Sequence, residues 1–414
     1  MSAIIDYRGK TPRKTSIGIP LITAKIVKGG RIEPPDEFID PNEYDSWMCR
    51  GLPKIGDVLL TTEAPLGEVA QLTDDRIALA QRLILLRGKP DLLDNTYLKF
   101  LLISEPIQSQ LRGRASGTTV LGIKQSELRK VTLPLPPIDE QRAIAGVLGA
   151  LDDKIEQNRR TARALEQLAR AIFRAWFVDF EPVKAKAAGA TAFPSMSQAV
   201  FDALPTRFVD SEIGPVPERW EVKPIGDVVT AKGGGTPSTK NPNYWDGGEY
   251  CWATPKDMSR LSHPVLLDTD RRITDAGVNS ISSGILPVGT VLMSSRAPVG
   301  YLAIAGVPTA INQGFIAMVC DGPLPPTYVL NWAFTSMDAI KAHASGTTFP
   351  EISKKNFRPL PVVVPTSDVI GAYQQAADPL FELLTASVKE GERLASVRDY
   401  LLPQLLSGAV RVRL

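Results

Sequence analysis

A chain of 414 residues with 43% hydrophobic and 22% charged side chains lies in the range of folded globular proteins and has room for roughly two to three domains. Three widely spaced cysteines (Cys49, Cys251, Cys320) and two histidines (His263, His343) exclude a disulfide framework, a CxxC metal site and a histidine-rich centre, so no metal ligands are expected. The net charge of +2 neither argues for a nucleic-acid partner nor excludes one, because patches matter more than totals. No apolar run reaches the ~20 residues of a membrane span, and the amino-terminal stretch MSAIIDYRGK has no signal-peptide core. Reduced thiols in the cytoplasm are the expectation.

From the first residues onward, short apolar runs such as IPLITAKIV, DVLLTT and RLILLR are bounded by Gly, Pro and Asp and read as β-strands of four to eight residues. NTYLKFLLISEPIQSQLR then has helical spacing, with a break expected at Pro106. After the pentapeptide ASGTT (Ala115–Thr119) comes a short polar–apolar segment and a strand stopped by prolines. The strongest local signal follows. Ile144, Leu148, Leu151, Ile155, Asn158, Ala162, Leu165, Ala169, Ile172 and Trp176 alternate spacings of four and three, the heptad seam of a coiled coil. A helix of that length is a rod of roughly 60 Å. Residues 181–215, rich in Ala, Ser and Pro, read as a linker that wraps over the surface.

The second half repeats the first. ASGTT returns at Ala344–Thr348, 229 residues on, and Leu128-Arg129 answers to Phe357-Arg358 at the same step. Upstream, GDVLLTTEAPLGEVA matches GTVLMSSRAPVGYLA, AQRLILL matches NQGFIAM, and NTYLKF matches PTYVLN. The period is too long for a solenoid, so each copy is a domain-sized object. The matching helix carries Tyr373, Ala377, Leu380, Leu384, Leu394, Val397, Leu401 and Leu405. With Pro379 and Gly391 inside it, a kink or a late start is expected. Asn158 and Ser387 fall at the same level, either as a buried polar pair that fixes register or as residues at a solvated edge.

Two such seams most simply pack against each other. The fold expected is α+β: two homologous mixed α/β domains separated by two long antiparallel helices forming a coiled coil, with pseudo-two-fold symmetry. The divisions are residues 1–135, 136–180 (first helix), 181–215 (linker), 216–366 and 367–408 (second helix). Covalent duplication then does what dimerisation does in readers of paired DNA half-sites.

The block LPLPPIDEQRAIAGVLGALDDKIEQNRRTARALEQLARAIFRAWF (Leu133–Phe177) resembles the central region of type I restriction–modification specificity subunits. So does the layout, in which SGTT and LPLPP close one recognition domain before PERWEVKPIGDV and KGGGTP open the next. The resemblance covers essentially the whole chain. It implies a non-catalytic subunit whose two target-recognition domains each read one half of a bipartite double-stranded DNA site. It further implies two modification subunits that methylate adenine with S-adenosylmethionine, and motor/nuclease subunits. ATP and Mg would also be bound by partners, leaving this chain without a cofactor. Two departures stand out: YRGKTP lacks the strand that precedes KGGGTP, so a first strand is expected to be missing, and the second helix starts VPTSDVIGAYQQ without the Glu-Gln pair.

Candidate DNA contacts are the loop cations and hydroxyls. In the first half these are Arg8, Lys10, Thr11, Lys25, Lys28, Arg31, Arg82, Arg114, Ser116, Thr118 and Thr119. In the second they are Lys232, Gly233, Gly234, Thr236, Lys256, Arg260, Arg296, Ser345, Thr347 and Thr348. Individually each cation also reads as a solvated surface charge, and the ASGTT hydroxyls also read as caps of the next helix. Candidate helix and subunit contacts are Ile144, Leu148, Leu151, Ile155, Asn158, Leu165, Ile172, Trp176, Leu380, Leu384, Leu394 and Leu401. RGKTP is no P-loop, since Ile4 stands where the first glycine belongs. NPNY (Asn241–Tyr244) departs from the base-holding loop of adenine methyltransferases at its third residue. The alternatives weighed are a self-sufficient DNA adenine methyltransferase and a duplicated scaffold without nucleic acid.

Overall fold

The computed structural model describes residues 1–7, 11–346 and 350–412. It divides into two compact units, Met1–Glu156 with Glu392–Leu414, and Gln157–Gly391. Two long helices, Ile138–Phe177 and Ser367–Ser407, each contribute to both units.

The first unit is built on an antiparallel sheet of β1 (Ala3–Asp6), β2 (Val58–Thr62), β3 (Leu66–Gln71) and β4 (Leu83–Arg87), in the order β1-β4-β2-β3. A second small sheet joins Lys14–Thr15, Phe38–Ile39, Ile19–Ile22 and Ala78–Leu79. β2 is buried at all five residues and β4 at four, because both faces of this sheet are covered. Helices Asn95–Ile103 and Glu105–Gly113 follow. The break falls at Ser104, and Pro106 sits in the first turn of the second helix, where its missing N–H costs nothing.

The long helices enter this core directly. Ile144, Ala145 and Leu148 of the first pack in one cluster with Leu402 and Leu405 of the second, together with Leu98, Leu101 and Leu102. Gln141, 1% exposed, anchors the start of the first helix. Its amide donates to the Leu92 and Pro136 carbonyls, and its oxygen accepts from the Asp94 N–H. Asp152 is a shared acceptor, ion-paired to Lys99 and, at 2.6 Å, to Arg398 of the second helix.

The second unit repeats the plan. Its strands include β5 (Glu221–Pro224), β6 (Thr230–Lys232), β7 (Val265–Leu266), β8 (Val291–Ser295), β9 (Val299–Ala305), β10 (Phe315–Val319) and β11 (Pro361–Val364). The main sheet runs β6-β10-β8-β9-β7, and β5 pairs with β11 apart from it. The equivalence extends to single bonds: the Tyr97 hydroxyl donates to the Pro134 carbonyl and the Tyr328 hydroxyl to the Val363 carbonyl. Here the helices meet through Phe173, Trp176, Phe177 and Tyr373, whose rings lie edge-on or tilted at centroid separations between 5.1 and 6.3 Å. Ala162 and Leu384 share a further cluster, and Asn158 donates to Glu390 at 2.9 Å. In each unit the two helices therefore run antiparallel.

Four expectations need correction. The second long helix starts at Ser367 and runs through Pro379 and Gly391 to Ser407, so no late start occurs. Tertiary contacts hold the turn before Pro379, where Thr327 donates to Asp378 at 2.7 Å and Asn331 to the buried Tyr373 hydroxyl at 3.1 Å. Val397 is 40% exposed rather than on the seam; Arg398 takes that level, and Leu402 is buried beyond it. Asn158 and Ser387 are both buried, yet each bonds elsewhere, Ser387 to the Leu383 carbonyl of its own helix. Residues 181–215, expected to wrap as a linker, carry helices Glu181–Ala187 and Gln198–Ala203 and bury Val183, Phe201 and Leu204 in the second unit's core.

Asp152→Ala would leave two cations, with side chains 10% and 22% exposed, without their shared acceptor. It is expected to destabilise the first unit by roughly 2–3 kcal/mol. Arg398→Ala should cost clearly less, since the Lys99 pair survives. Denaturant unfolding of both variants checks this; equal losses would remove Asp152 as the hub.

Candidate nucleic-acid interface

Each unit gathers three loops around the end of a central strand. The turn after β2 contains Ala64 at φ +50° followed by a cis Pro65; the turn after β8 contains Ala297 at φ +53° and a cis Pro298. A strand hydroxyl ties each turn: Thr61 accepts from the Glu68 N–H at 2.9 Å, and Ser294 accepts from the Tyr301 N–H at 2.8 Å. The ASGTT loops attach to the same strands. Ser116 and Gly122 exchange backbone bonds, as do Ser345 and Glu351. Ile123 then donates to the Thr62 carbonyl at 2.9 Å and Ile352 to the Ser295 carbonyl at 3.0 Å. Gly117, at φ +128°, is required here, since a Cβ would fall 2.1 Å from the Val120 carbonyl oxygen.

The third loop is the Thr-Pro pair. Thr11 and Gln81 are hydrogen-bonded at 3.2 Å, and their counterparts Thr236 and Gln313 at 2.6 Å. Gln81 and Gln313 were not singled out from the sequence, because a single Gln at the start of a strand carries no pattern. In the first unit Thr11, Lys14, Lys25, Ala64, Gln81 and Arg82 line one cavity of about 280 Å³.

The candidate cations are exposed or half-buried, and carboxylates meet most of them. Lys25 bonds Asp36 at 2.8 Å, and that hydrogen bond holds the Asp36 carboxyl below its ordinary range. Lys28 and Arg31 face Glu33 at 3.6 and 3.8 Å. Arg82 lies 3.8 Å from Glu63, and Arg114 lies 3.9 Å from Glu127. In the second unit Lys256 and Arg260 share Asp270 at 3.4 and 2.6 Å, and Arg296 lies 3.9 Å from Glu351. Exposed pairs of this kind contribute about 0–1 kcal/mol each, so a phosphate can replace the carboxylate at little cost. Lys232 is half-buried beside Gly233, whose missing Cβ leaves room for the Lys354 ammonium. Gly234 packs on the Ile311 carbonyl, where a Cβ would lie at 2.0 Å, so the glycine run is explained by packing.

Ser116, Thr118, Thr119 and Ser345 are exposed or half-buried. They do not cap the following helices: Lys124 occupies the first N-cap without a side-chain bond, and Ser353 caps the second. Arg8, Lys10, Thr347 and Thr348 lie outside the described residues. The sequence also gave no pointer to Arg271, an exposed guanidinium 3.4 Å above the Trp245 ring. Trp252, against which Trp245 packs, donates to the Gly235 carbonyl and so fixes this stack beside the KGGGTP loop.

On the helix seam, Ile144, Leu148, Ile155, Asn158, Trp176 and Leu384 are buried, whereas Leu151, Leu165, Ile172, Leu380, Leu394 and Leu401 are half-buried. Burial pushes the Cys251 thiol up and the Cys320 thiol up to about 12, so neither is a thiolate near neutrality. Asn241 of NPNY caps its own short helix by accepting from the Asn243 N–H at 3.2 Å. Among the described residues no group of three His, Cys, Asp or Glu is placed to hold a metal.

The sequence pattern of the type I restriction modification DNA specificity domain matches residues 10–167 and again 217–389. The chain belongs to that family. It is 25% identical over 402 residues to the type I restriction enzyme HindI specificity subunit of Haemophilus influenzae, covering 86% of this chain and 87% of that one. It is also 25% identical over 363 residues to the MjaIX specificity subunit of Methanocaldococcus jannaschii, covering 86% and 78%. A type I restriction–modification S subunit from M. genitalium shares the fold, with a TM-score of 0.55 at 14% identity over 95% of each chain. A DNA-specificity role follows, membership implies a non-catalytic role, and the methyltransferase and scaffold alternatives are not favoured. No helix among the described residues is long and apolar enough to cross a membrane.

Gly117→Ala is expected to open the first Ser-Gly loop while the sheet stays folded. Amide exchange at Gly122 and Ile123 should rise at least tenfold with the melting temperature nearly unchanged; unaltered protection there would show that the glycine is dispensable.

Proposed function

We propose that this chain is the DNA-reading, non-catalytic subunit of a type I restriction–modification complex, each unit reading one part of an asymmetric, two-part duplex sequence. The observation that carries this reading is a shared loop framework with divergent charges. The Thr–Gln pair, the proline turn and the Ser-Gly loop recur in both units, while Arg82 of the first corresponds to Gly314 of the second. Frameworks of this kind position a protein through phosphates, and the side chains that differ select bases. Gln81 and Gln313 join the candidate contacts because a carboxamide offers the donor–acceptor pair that adenine presents in the major groove.

Specificity subunits of type I systems work with other subunits and with DNA. The partners proposed here are two adenine-modifying subunits carrying S-adenosylmethionine, and motor/nuclease subunits using ATP and Mg, in the cytoplasm. The functional divisions proposed are residues 1–135 and 216–366 as readers, 136–180 and 367–408 as spacer helices, and 181–215 as the connection. Exposed charges of the first helix, such as Asp153, would contact the modification subunits.

Replacing residues 1–135 with another recognition domain and sequencing the methylated sites made by the reconstituted complex should change one half-site and leave the other. A change in both would overturn the modular reading. Inserting one heptad into each long helix, which preserves the seam, should lengthen the gap between half-sites. An unchanged gap would remove the helices as its ruler.

A further inference from the structure

Strand register equates positions in the two units one by one. In the first, Ile19–Ile22 runs parallel to Ala78–Leu79 with Leu21 opposite Ala78. In the second, Tyr250–Ala253 runs parallel to Thr309–Ile311 with Trp252 opposite Ala310. Three residues beyond Ala78 and Ala310 stand Gln81 and Gln313, which bond Thr11 and Thr236, so the two registers are the same. Leu21 is therefore the counterpart of Trp252. Across the neighbouring strand, the Leu21 amide donates to the Glu37 carbonyl at 2.9 Å, and the Trp252 amide to the Arg271 carbonyl at 3.1 Å. Glu37 and Arg271 thus hold one place in the framework with opposite charge.

That place borders the recognition loops in both units. Glu37 shares the cavity of about 280 Å³ with Thr11, Gln81 and Arg82, and its half-buried carboxylate meets the Lys14 ammonium at 2.8 Å. Arg271 is held differently. Lys256, Arg260 and Arg272 beside it meet Asp270 or Asp268, whereas among the described residues no carboxylate pairs with Arg271. Two indoles take that role: the guanidinium carbon lies 3.4 Å from the Trp245 ring centre and 5.8 Å from that of Trp252. Both rings are pinned beside the KGGGTP loop. Trp245 donates to the Ser238 carbonyl and Trp252 to the Gly235 carbonyl, each at 3.1 Å. At such a separation the guanidinium cannot stand edge-on without driving a nitrogen into the ring, so it lies flat on Trp245. A stacked guanidinium keeps its donors in one plane, directed away from the ring and not spent on a carboxylate.

We infer that this shared position selects a base in each half of the DNA site, Arg271 reading guanine and Glu37 reading cytosine. The inference rests on the proposal that these loops face DNA. A planar guanidinium fork matches the adjacent O6 and N7 acceptors that guanine presents in the major groove. A carboxylate only accepts, and the N4 amino group of cytosine is the donor that suits it. Adenine also carries an amino group there, but its N7 acceptor lies alongside and repels a carboxylate. Lys14 does not block this contact, because one exposed ion pair leaves carboxylate lone pairs unused. Trp245 is a positioning residue: stacking orders the long Arg271 side chain before DNA arrives, which lowers the entropy lost on binding.

The test is selection from a random-sequence duplex library by the full chain reconstituted with its modification subunits, followed by sequencing of the bound fraction. The unaltered chain is expected to enrich a gapped motif with a G·C pair in each part. Arg271→Lys keeps the charge and loses the fork, so the preference for one of these pairs should fall about tenfold or more, with every other position unchanged. Glu37→Gln should relax the pair in the other part by a similar factor and admit A·T there, since a carboxamide suits adenine. Trp245→Leu should relax the same pair as Arg271→Lys, and combining the two should add nothing further. A uniform loss of affinity with all base preferences intact would mark phosphate contacts and overturn the inference. So would relaxation of an A·T pair, or of the same part by both Arg271→Lys and Glu37→Gln. Unaltered motifs in these variants sink this assignment alone, whereas no two-part motif from the unaltered chain would also sink the reading of the loops as a DNA interface.

Discussion

The constraint on which the rest depends is the burial of an apolar stripe along each of two helices of 40 and 41 residues. A lone helix of that length with one apolar face is not stable exposed to water. In the first unit the stripe is covered by the closing turns of the second helix and by Leu98, Leu101 and Leu102. In the second unit the coverage is aromatic, with Phe173, Trp176 and Phe177 set against Tyr328 and Tyr373. Each helix is thus a structural part of both units. The ends of the helices are therefore fixed to the sheets by packing and by Gln141, and are not loosely tethered.

Polar groups on the seam set register more than they stabilise. Asp152 with Lys99 and Arg398 in the first unit, and Asn158 with Glu390 in the second, are partly buried and each has its partner on the opposing helix or the adjacent domain. A one-turn slip would leave these groups desolvated and unmatched, which costs more than correct pairing contributes. A Cβ added at Gly391 would lie 3.9 Å from the Asn158 Cβ, so the two helices come close at that level.

The recognition loops follow a different logic. Their backbones are fixed by bonds that recur in both units, while their charged ends are held only by exposed ion pairs. That division suits a surface that keeps its geometry while its side chains diversify. The acidic partners of the loop cations also explain a chain with a net charge of only +2 that nonetheless offers guanidinium groups on exposed loops.

The duplication, the long helices and the strands DVLLTT and RLILLR were legible because each rests on periodicity or on repetition, which local chemistry imposes directly. Most of the seam of the first helix was legible, though Phe173 and Phe177, buried near its end, fall outside the predicted positions. That of the second was misleading near Val397, because Arg398 at the seam is charged and its burial is made tolerable by Asp152, far away in sequence, together with the neighbouring Asp399. Sequence alone offered candidate DNA contacts by residue type and loop position, without Gln81, Gln313 or Arg271. Which of them converge was decided by tertiary structure: Thr11 meets Gln81, and Arg271 meets Trp245, through strand order and register that no local pattern encodes. The helix through Pro379 belongs to the same class, since contacts from Thr327 and Asn331, remote in the chain, outweigh the local preference to break.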